Sequence, residues 1–342
     1  MAAAPSATKP VLVQWILDTR TWWPEATETR QLETHAKRAL ALLTETERAG
    51  VLRYYHVRDA KLAVASALIK HYCIGRLVPG GGVSWQATSI TRNARGKPVY
   101  VDPATGTEPV AFNVSHQAGI VALVAVSGYA GPGSAEAGVD VVCTSERRDR
   151  DEKMLAEGSS GGTGPAGWHR FVDMHADVFA PGEAAYLKYQ VPYSVDALVP
   201  PGASAEQVVD ARLRTFYALW AMREAYVKLT GEALLAEWLR DLEFRYFRPP
   251  RPTPAWSVPA REEEEEEGGQ DAQVINHTEI RFMGKKVDDV NLSLRSMGPD
   301  YMICTAVRTP ENKTAALGWK LGPYEIITLD EVLDFAESTS TR

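Results

Sequence analysis

Phe216-Tyr217-Ala218-Leu219-Trp220-Ala221-Met222-Arg223-Glu224-Ala225-Tyr226-Val227-Lys228 contains no glycine or proline, and its large apolar residues return every three to four positions. That period is helical. With its flanks it predicts one long helix from Glu206 to Thr230, with Leu213, Phe216, Trp220 and Val227 on the apolar stripe and Gly231 as the stop. Glu224 lies one turn after Trp220 and one turn before Lys228, so the three share a face. On a solvated helix Glu224 and Lys228 would be an ordinary surface pair, worth roughly a few tenths of a kcal/mol. A core-facing Trp220 instead puts Glu224 at a buried edge.

Upstream, Gly138-Val139-Asp140-Val141-Val142 reads as a buried strand carrying one carboxylate. Burying that charge is costly unless it is paired or bound to a cation. An ion pair or strand-end cap would satisfy it, and so would a metal. Asp140 and Glu224 together could hold one Mg²⁺, which takes oxygen ligands and keeps waters while it bridges phosphates. Before this strand, Phe112–His116 and Ile120–Val126 read as two β-strands joined at a Gly119 turn. Ser115 and His116 are neighbours on a strand and point to opposite faces, so they do not form a hydrolase pair.

The remaining elements complete an α+β pattern. Val11–Leu17 reads as a strand. Thr44-Glu45-Thr46-Glu47 has capping-box spacing and opens a helical region to about Tyr72, broken near His56, with Gly75 as its stop. Strands are expected near Ile275–Phe282, Val290–Leu294, Tyr301–Val307 and Tyr324–Thr328, followed by a short C-terminal helix. The Gly, Ser, Ala and Pro content of Gly128–Gly138 suits a linker. It divides the chain into an N-terminal lobe, 1–130, and a C-terminal lobe, 131–342, with flexible insertions near 158–167, 191–202 and 249–269.

The 342 residues are 45% hydrophobic and 24% charged, the composition of a globular protein of about two domains. No apolar run approaches the roughly 18 residues of a membrane span, and Met1–Pro10 lacks a signal-peptide core. Cys73, Cys143 and Cys304 show no metal or redox spacing, so a cytoplasmic protein with reduced thiols is expected. The net charge, 37 − 44 = −7, owes most to Glu262–Glu267; without those six it is 37 − 38 = −1. From Arg48 to Lys97 there are nine Lys/Arg residues against one acid, Asp59, which calls for an anionic partner. Nucleic acid is a poor fit, since no interleaved aromatics or binding motif accompany these charges. The glycines of 158–167 lack the Lys-Ser/Thr ending of a phosphate loop.

Taken together and in order, these segments resemble the larger, pseudo-dimeric 4′-phosphopantetheinyl transferases, whose pattern is Gly-(Ile/Val)-Asp followed by Trp-x-x-Lys-Glu-(Ala/Ser)-x-x-Lys. Here those stand as Gly138-Val139-Asp140 and Trp220 to Lys228, preceded by Phe112-Asn113-Val114-Ser115-His116, Gly96-Lys97-Pro98 and Arg58-Asp59-Ala60-Lys61. The long insertions look like the fungal, broad-range branch. The resemblance implies two similar α+β lobes related by a pseudo-two-fold, each an antiparallel sheet packed with a long helix, acting as a monomer. Coenzyme A and Mg²⁺ would lie between the lobes. It further implies transfer of phosphopantetheine to a serine of apo acyl or peptidyl carrier domains, releasing 3′,5′-adenosine bisphosphate. The carriers would belong to fatty acid, polyketide, nonribosomal peptide or lysine-pathway reductase systems. Asp140 and Glu224 would hold the metal, and Asp140, Glu224 and Lys228 would carry the chemistry. Arg58, Arg92, Lys97, Ser115 and His116 would bind the nucleotide phosphates. Glu224, Glu183 or a metal-bound water would be the base.

Two departures from the pattern stand out. Val142 replaces a second acid that many bacterial members carry. Arg223, permanently charged, replaces a lysine and can supply charge but no base. A degenerate metal site would instead make the chain a non-catalytic module that binds coenzyme A or a carrier domain.

Overall fold

The computed structural model describes residues 9–157, 165–194, 199, 202–232, 236–254 and 272–340. The elements that position the site are, in the first part, β1 (Val11–Asp18), α1 (Glu45–Leu52), α2 (Val57–Leu77), β2 (Val110–Gln117), β3 (Ile120–Ser127) and β4 (Glu136–Cys143). They are followed by α3 (Arg148–Ala156), α4 (Pro165–Asp173), α5 (Pro181–Tyr189), α6 (Ala205–Thr230), β5 (Leu242–Arg245), β6 (Glu279–Phe282), β7 (Val290–Met297), β8 (Tyr301–Arg308), β9 (Glu325–Ile326) and α7 (Leu329–Ser340).

Local chemistry sets the helix ends. Thr44 opens α1 with a reciprocal capping box, its N–H donating to the Glu47 carboxylate at 3.0 Å. Ser204 and Gln207 do the same for α6, and Gly231 closes it in the left-handed conformation, φ 78°. The break expected near His56 separates α1 from α2. Gly75 does not stop α2, which runs on to Leu77. Its role is a close approach: a Cβ there would meet the Phe335 ring of α7 at 2.7 Å.

One sheet has the spatial order β9-β1-β3-β2, and another places β4, β8 and β7 in a row, ending on Val274–Ile275. In each, the third strand of the run inserts between the first two, and every pairing among these long strands is antiparallel. The two-residue turn Ala118-Gly119, with φ 47° and 88°, joins β2 to β3 tightly. Helix α2 covers the outer face of the first sheet, and α6 covers that of the second. The inner faces pack on each other through Ile16, Ala122 and Val124 against Val139, Val141 and Ile303. The result is α+β in four layers. It explains why β3 reads as an unbroken apolar run, since both its faces are buried.

The expected split at residue 131 does not hold for the end of the chain. β9 pairs in parallel with β1, Trp15 opposite Glu325, and α7 buries Val332, Leu333 and Ala336 in the first sheet's core. The apolar edge of α2 needs a cover, and the amphipathic tail supplies it. Arg38 fastens the tail to the surface through Asp334 and Glu337, each at 2.6 Å. Glu262–Glu267, and most of the insertions expected near 158–167, 191–202 and 249–269, lie outside the described residues. Among the described residues no helix is long and apolar enough to cross a membrane.

Burial alone would raise the Glu47 carboxyl, but hydrogen bonds from His71 and Thr44 outweigh it and hold the group at about 2. A carboxyl depressed in the fold stabilises it above its unfolded range of about 4.3 and stops doing so as pH falls through its folded value. Glu47→Gln is therefore expected to lose about 1 kcal/mol at pH 7, after allowance for solvent screening. Urea denaturation from pH 7 to pH 3 should show the gap to wild type closing with acid; a constant gap would contradict this account.

Candidate functional site

β2 and β4 are the facing edges of the two sheets, and side chains rather than a backbone ladder join them. Asn113, Ser115 and Gln117 project from one face of β2 and accept the N–H groups of Val139, Val141 and Cys143 at 3.0, 3.3 and 3.1 Å. Alternation in β4 then sends Gly138, Asp140 and Val142 toward α6. The helix lies so close that a Cβ on Gly138 would meet the Ala225 carbonyl oxygen at 2.1 Å.

Asp140 is 6% exposed. Ser115 Oγ donates to its Oδ1 at 2.9 Å, Lys228 Nζ donates to the same oxygen at 2.6 Å, and Lys228 Nζ also reaches Ser115 Oγ at 2.8 Å. Burial pushes the Asp140 carboxyl up, and Lys228 opposes that push. Glu224, one helical turn before Lys228, is pushed up to about 7 by burial and by the nearby Asp140 charge. Two carboxylates and one ammonium thus share one small volume.

They open into a cleft of about 560 Å³, lined also by His116, Gln117 and Val142. His116 sits on the opposite face of β2 from Ser115. Crowding by protein and then the Lys228 charge hold its imidazole below the ordinary value. Trp220 stacks on Phe216 with ring centroids 6.1 Å apart and forms the cleft wall; it is half-buried rather than a core residue. Arg147, Arg150 and an Asp151–Tyr217 hydrogen bond border the far end. The sequence offered no period or motif that marked them.

Five of the predicted site residues, Ser115, His116, Asp140, Glu224 and Lys228, line this cleft. Three do not. Lys97 lines a separate cavity of about 700 Å³ and donates to the Ala137 carbonyl at 2.7 Å. Its loop is turned toward the C-terminal end of α6, where Arg95 caps the Thr230 carbonyl at 2.6 Å. Arg92 donates to the Gly96 carbonyl within the same loop at 2.6 Å. Arg58 borders an open depression with Arg53 and Tyr55, beside Asp59 at 3.7 Å.

Glu183 and Arg223 are removed from the chemistry altogether. One residue before Glu224, Arg223 points about 100° away around α6, into the core. It is 2% exposed and donates to Glu183 Oε2 and the Leu242 carbonyl, both at 2.7 Å. Glu183 also accepts the N–H groups of Ala180 and Phe244, at 2.8 and 2.7 Å. A carboxylate so fully engaged and 1% exposed cannot take a substrate proton.

The chain is 45% identical over 333 residues to 4′-phosphopantetheinyl transferase 1 of Fusarium mangiferae, covering 97% of this chain and 98% of that one. The chain belongs to the 4′-phosphopantetheinyl transferase family. The N-terminal model of this family matches residues 21–128 of the transferase. A second relative, 4′-phosphopantetheinyl transferase of Aureobasidium melanogenum, is 33% identical over 87% of this chain and 90% of its own. L-Aminoadipate-semialdehyde dehydrogenase-phosphopantetheinyl transferase of Schizosaccharomyces pombe is 26% identical over 66% of this chain and 70% of its own. The transferase is thus an enzyme, which disfavours the non-catalytic binding module.

Arg223→Met leaves Glu183 buried without its cation and is expected to lose about 3–5 kcal/mol of stability. Denaturant unfolding measures the loss. Activity per folded molecule should stay near wild type, and a specific loss of turnover at full folding would return Arg223 to the site.

Proposed function

We propose that this transferase moves 4′-phosphopantetheine from coenzyme A to a serine of an apo-carrier domain in the cleft between β2, β4 and α6. The observation that carries this reading is the meeting of Asp140, Glu224 and Lys228 beside Ser115 and His116. The serine oxygen forms a bond to the β-phosphorus of coenzyme A, the bond to 3′,5′-adenosine bisphosphate breaks, and the serine proton leaves.

The donor set fits a hard divalent cation such as Mg²⁺. Two carboxylates of like charge face one cleft, near enough that Asp140 raises Glu224, and among the described residues no side chain donates to Oδ2 of Asp140. Among the described residues there is no third ligating side chain, and Val142 presents only methyl groups. Water and phosphate oxygens would complete the shell. Bound there by Asp140 and Glu224, the ion would neutralise charge on the diphosphate.

The protein's own groups do the rest. Lys228 supplies a positive charge to phosphate oxygens from a position fixed by Asp140 and Ser115. Glu224, raised by burial and the Asp140 charge in the protein alone, or a water beside it would receive the serine proton. His116 faces the nucleotide side of the cleft, with Arg92, Arg58 and the rest of the basic Arg48–Lys97 stretch as outer attraction for the phosphates. Carrier domains of fatty acid, polyketide and nonribosomal peptide synthases, and of an L-aminoadipate-semialdehyde dehydrogenase like that in the S. pombe relative's name, are the acceptors we propose. Three buried unpaired thiols suit a cytoplasmic setting.

Incubation with Mg²⁺, coenzyme A and an apo-carrier should add one phosphopantetheine mass to the carrier serine. No gain with any of several carriers would refute the reading. Asp140→Ala should lower turnover at least ~100-fold while coenzyme A binding, followed by calorimetry, largely survives. Unchanged turnover would remove Asp140 from the chemistry.

A further inference from the structure

The seam between β2 and β4 contains a polar side chain that touches no part of the cleft. Asn113 is 7% exposed and is absent from the cleft lining, yet its Oδ1 accepts the Val139 N–H at 3.0 Å across the junction of the two sheets. Val139 is fully buried and directly precedes Asp140. We propose that Asn113 is a positioning residue: by holding the Val139 N–H, it sets where Asp140 stands relative to Ser115 and Lys228. The assignment rests on the proposed role of Asp140 in transfer.

The argument is one of constraint. β4 pairs with β8 on one side through a regular ladder, Asp140 opposite Cys304. Among the described residues its other edge has no strand partner, so its offset from β2 is set by the side chains that reach it. Upstream of Asp140, among the described residues, three contacts pin this edge. Lys97 holds the Ala137 carbonyl at 2.7 Å, α6 rests on Gly138, and Asn113 holds the Val139 N–H. Of these, the Asn113 bond alone spans from β2, the strand that also carries Ser115. Downstream, the Ser115 hydroxyl must at once accept from Val141, accept from Lys228 and donate to Asp140. A hydroxyl with three partners cannot follow a strand that slides without releasing one of them. Removing the Asn113 acceptor leaves a buried N–H unpaired and puts that burden on Ser115 and on Gln117, which holds the Cys143 N–H at 3.1 Å. Small displacements of a reacting group lower turnover steeply while leaving distant binding contacts intact.

Two variants separate positioning from bulk stability. Asn113→Leu keeps the branched shape, at a larger volume, and removes the acceptor; Asn113→Asp keeps an acceptor oxygen in place. With coenzyme A, Mg²⁺ and an apo-carrier, Asn113→Leu is expected to lower kcat about tenfold with KM for coenzyme A within about twofold of wild type. Asn113→Asp should recover most of the lost kcat. Thermal unfolding of each protein, and calorimetric binding of 3′,5′-adenosine bisphosphate, establish that folded, nucleotide-competent enzyme is compared. A wild-type kcat for Asn113→Leu overturns the assignment, as does an equal loss in both variants or a loss that follows the unfolded fraction. Failure of the wild-type protein to load any carrier instead refutes the functional reading, and the assignment with it.

Discussion

The burial of one carboxylate organises this molecule. Asp140 lies inside an apolar strand at 6% exposure, where an unpaired charge would cost several kcal/mol. Lys228 and Ser115 meet it there, from α6 and β2, at 2.6 and 2.9 Å. The pair is satisfied only if the edge of one sheet, the edge of the other and the long helix all converge on the same point. That convergence is what makes the cleft.

The seam of side chains explains how two sheets can be joined without merging into one. A continuous backbone ladder would have fixed β2 against β4 and left no room for a polar pocket. Asn113, Ser115 and Gln117 satisfy the edge N–H groups of β4 instead, which protects an otherwise open edge. Ser115 belongs to both systems, the seam and the charged triangle. Structure and chemistry are therefore coupled at a single hydroxyl.

Neighbouring positions on α6 divide the labour by direction alone. Arg223 and Glu224 are adjacent in the chain and about 100° apart around the helix. One is locked in the core with Glu183, and the other faces the cleft. The same logic separates Ser115 from His116 on β2. These placements follow from helical and strand periods; spacing was enough to pair Asp140 with Glu224, whereas Ser115, His116 and Lys228 were named from the resemblance to the family's motifs.

Other features were not legible in that way. Lys97, Arg92 and Arg58 carry the charge expected near phosphates, but loop packing at the end of α6 and an open surface depression set their places. Arg147, Arg150 and the Asp151–Tyr217 bond reach the cleft because α3 folds over it, and nothing in their local sequence marks that path. The tail crosses to the first sheet because α2 has an apolar edge to cover. Local periodicity, caps and the left-handed glycine at 231 settled the long helix, the buried strands and the faces their residues occupy, since these depend on neighbours a few positions away. The meeting of Asp140 with Lys228, the withdrawal of Glu183 and the return of α7 depend on contacts across 40 to 260 positions, and only the packing of the layers could decide them.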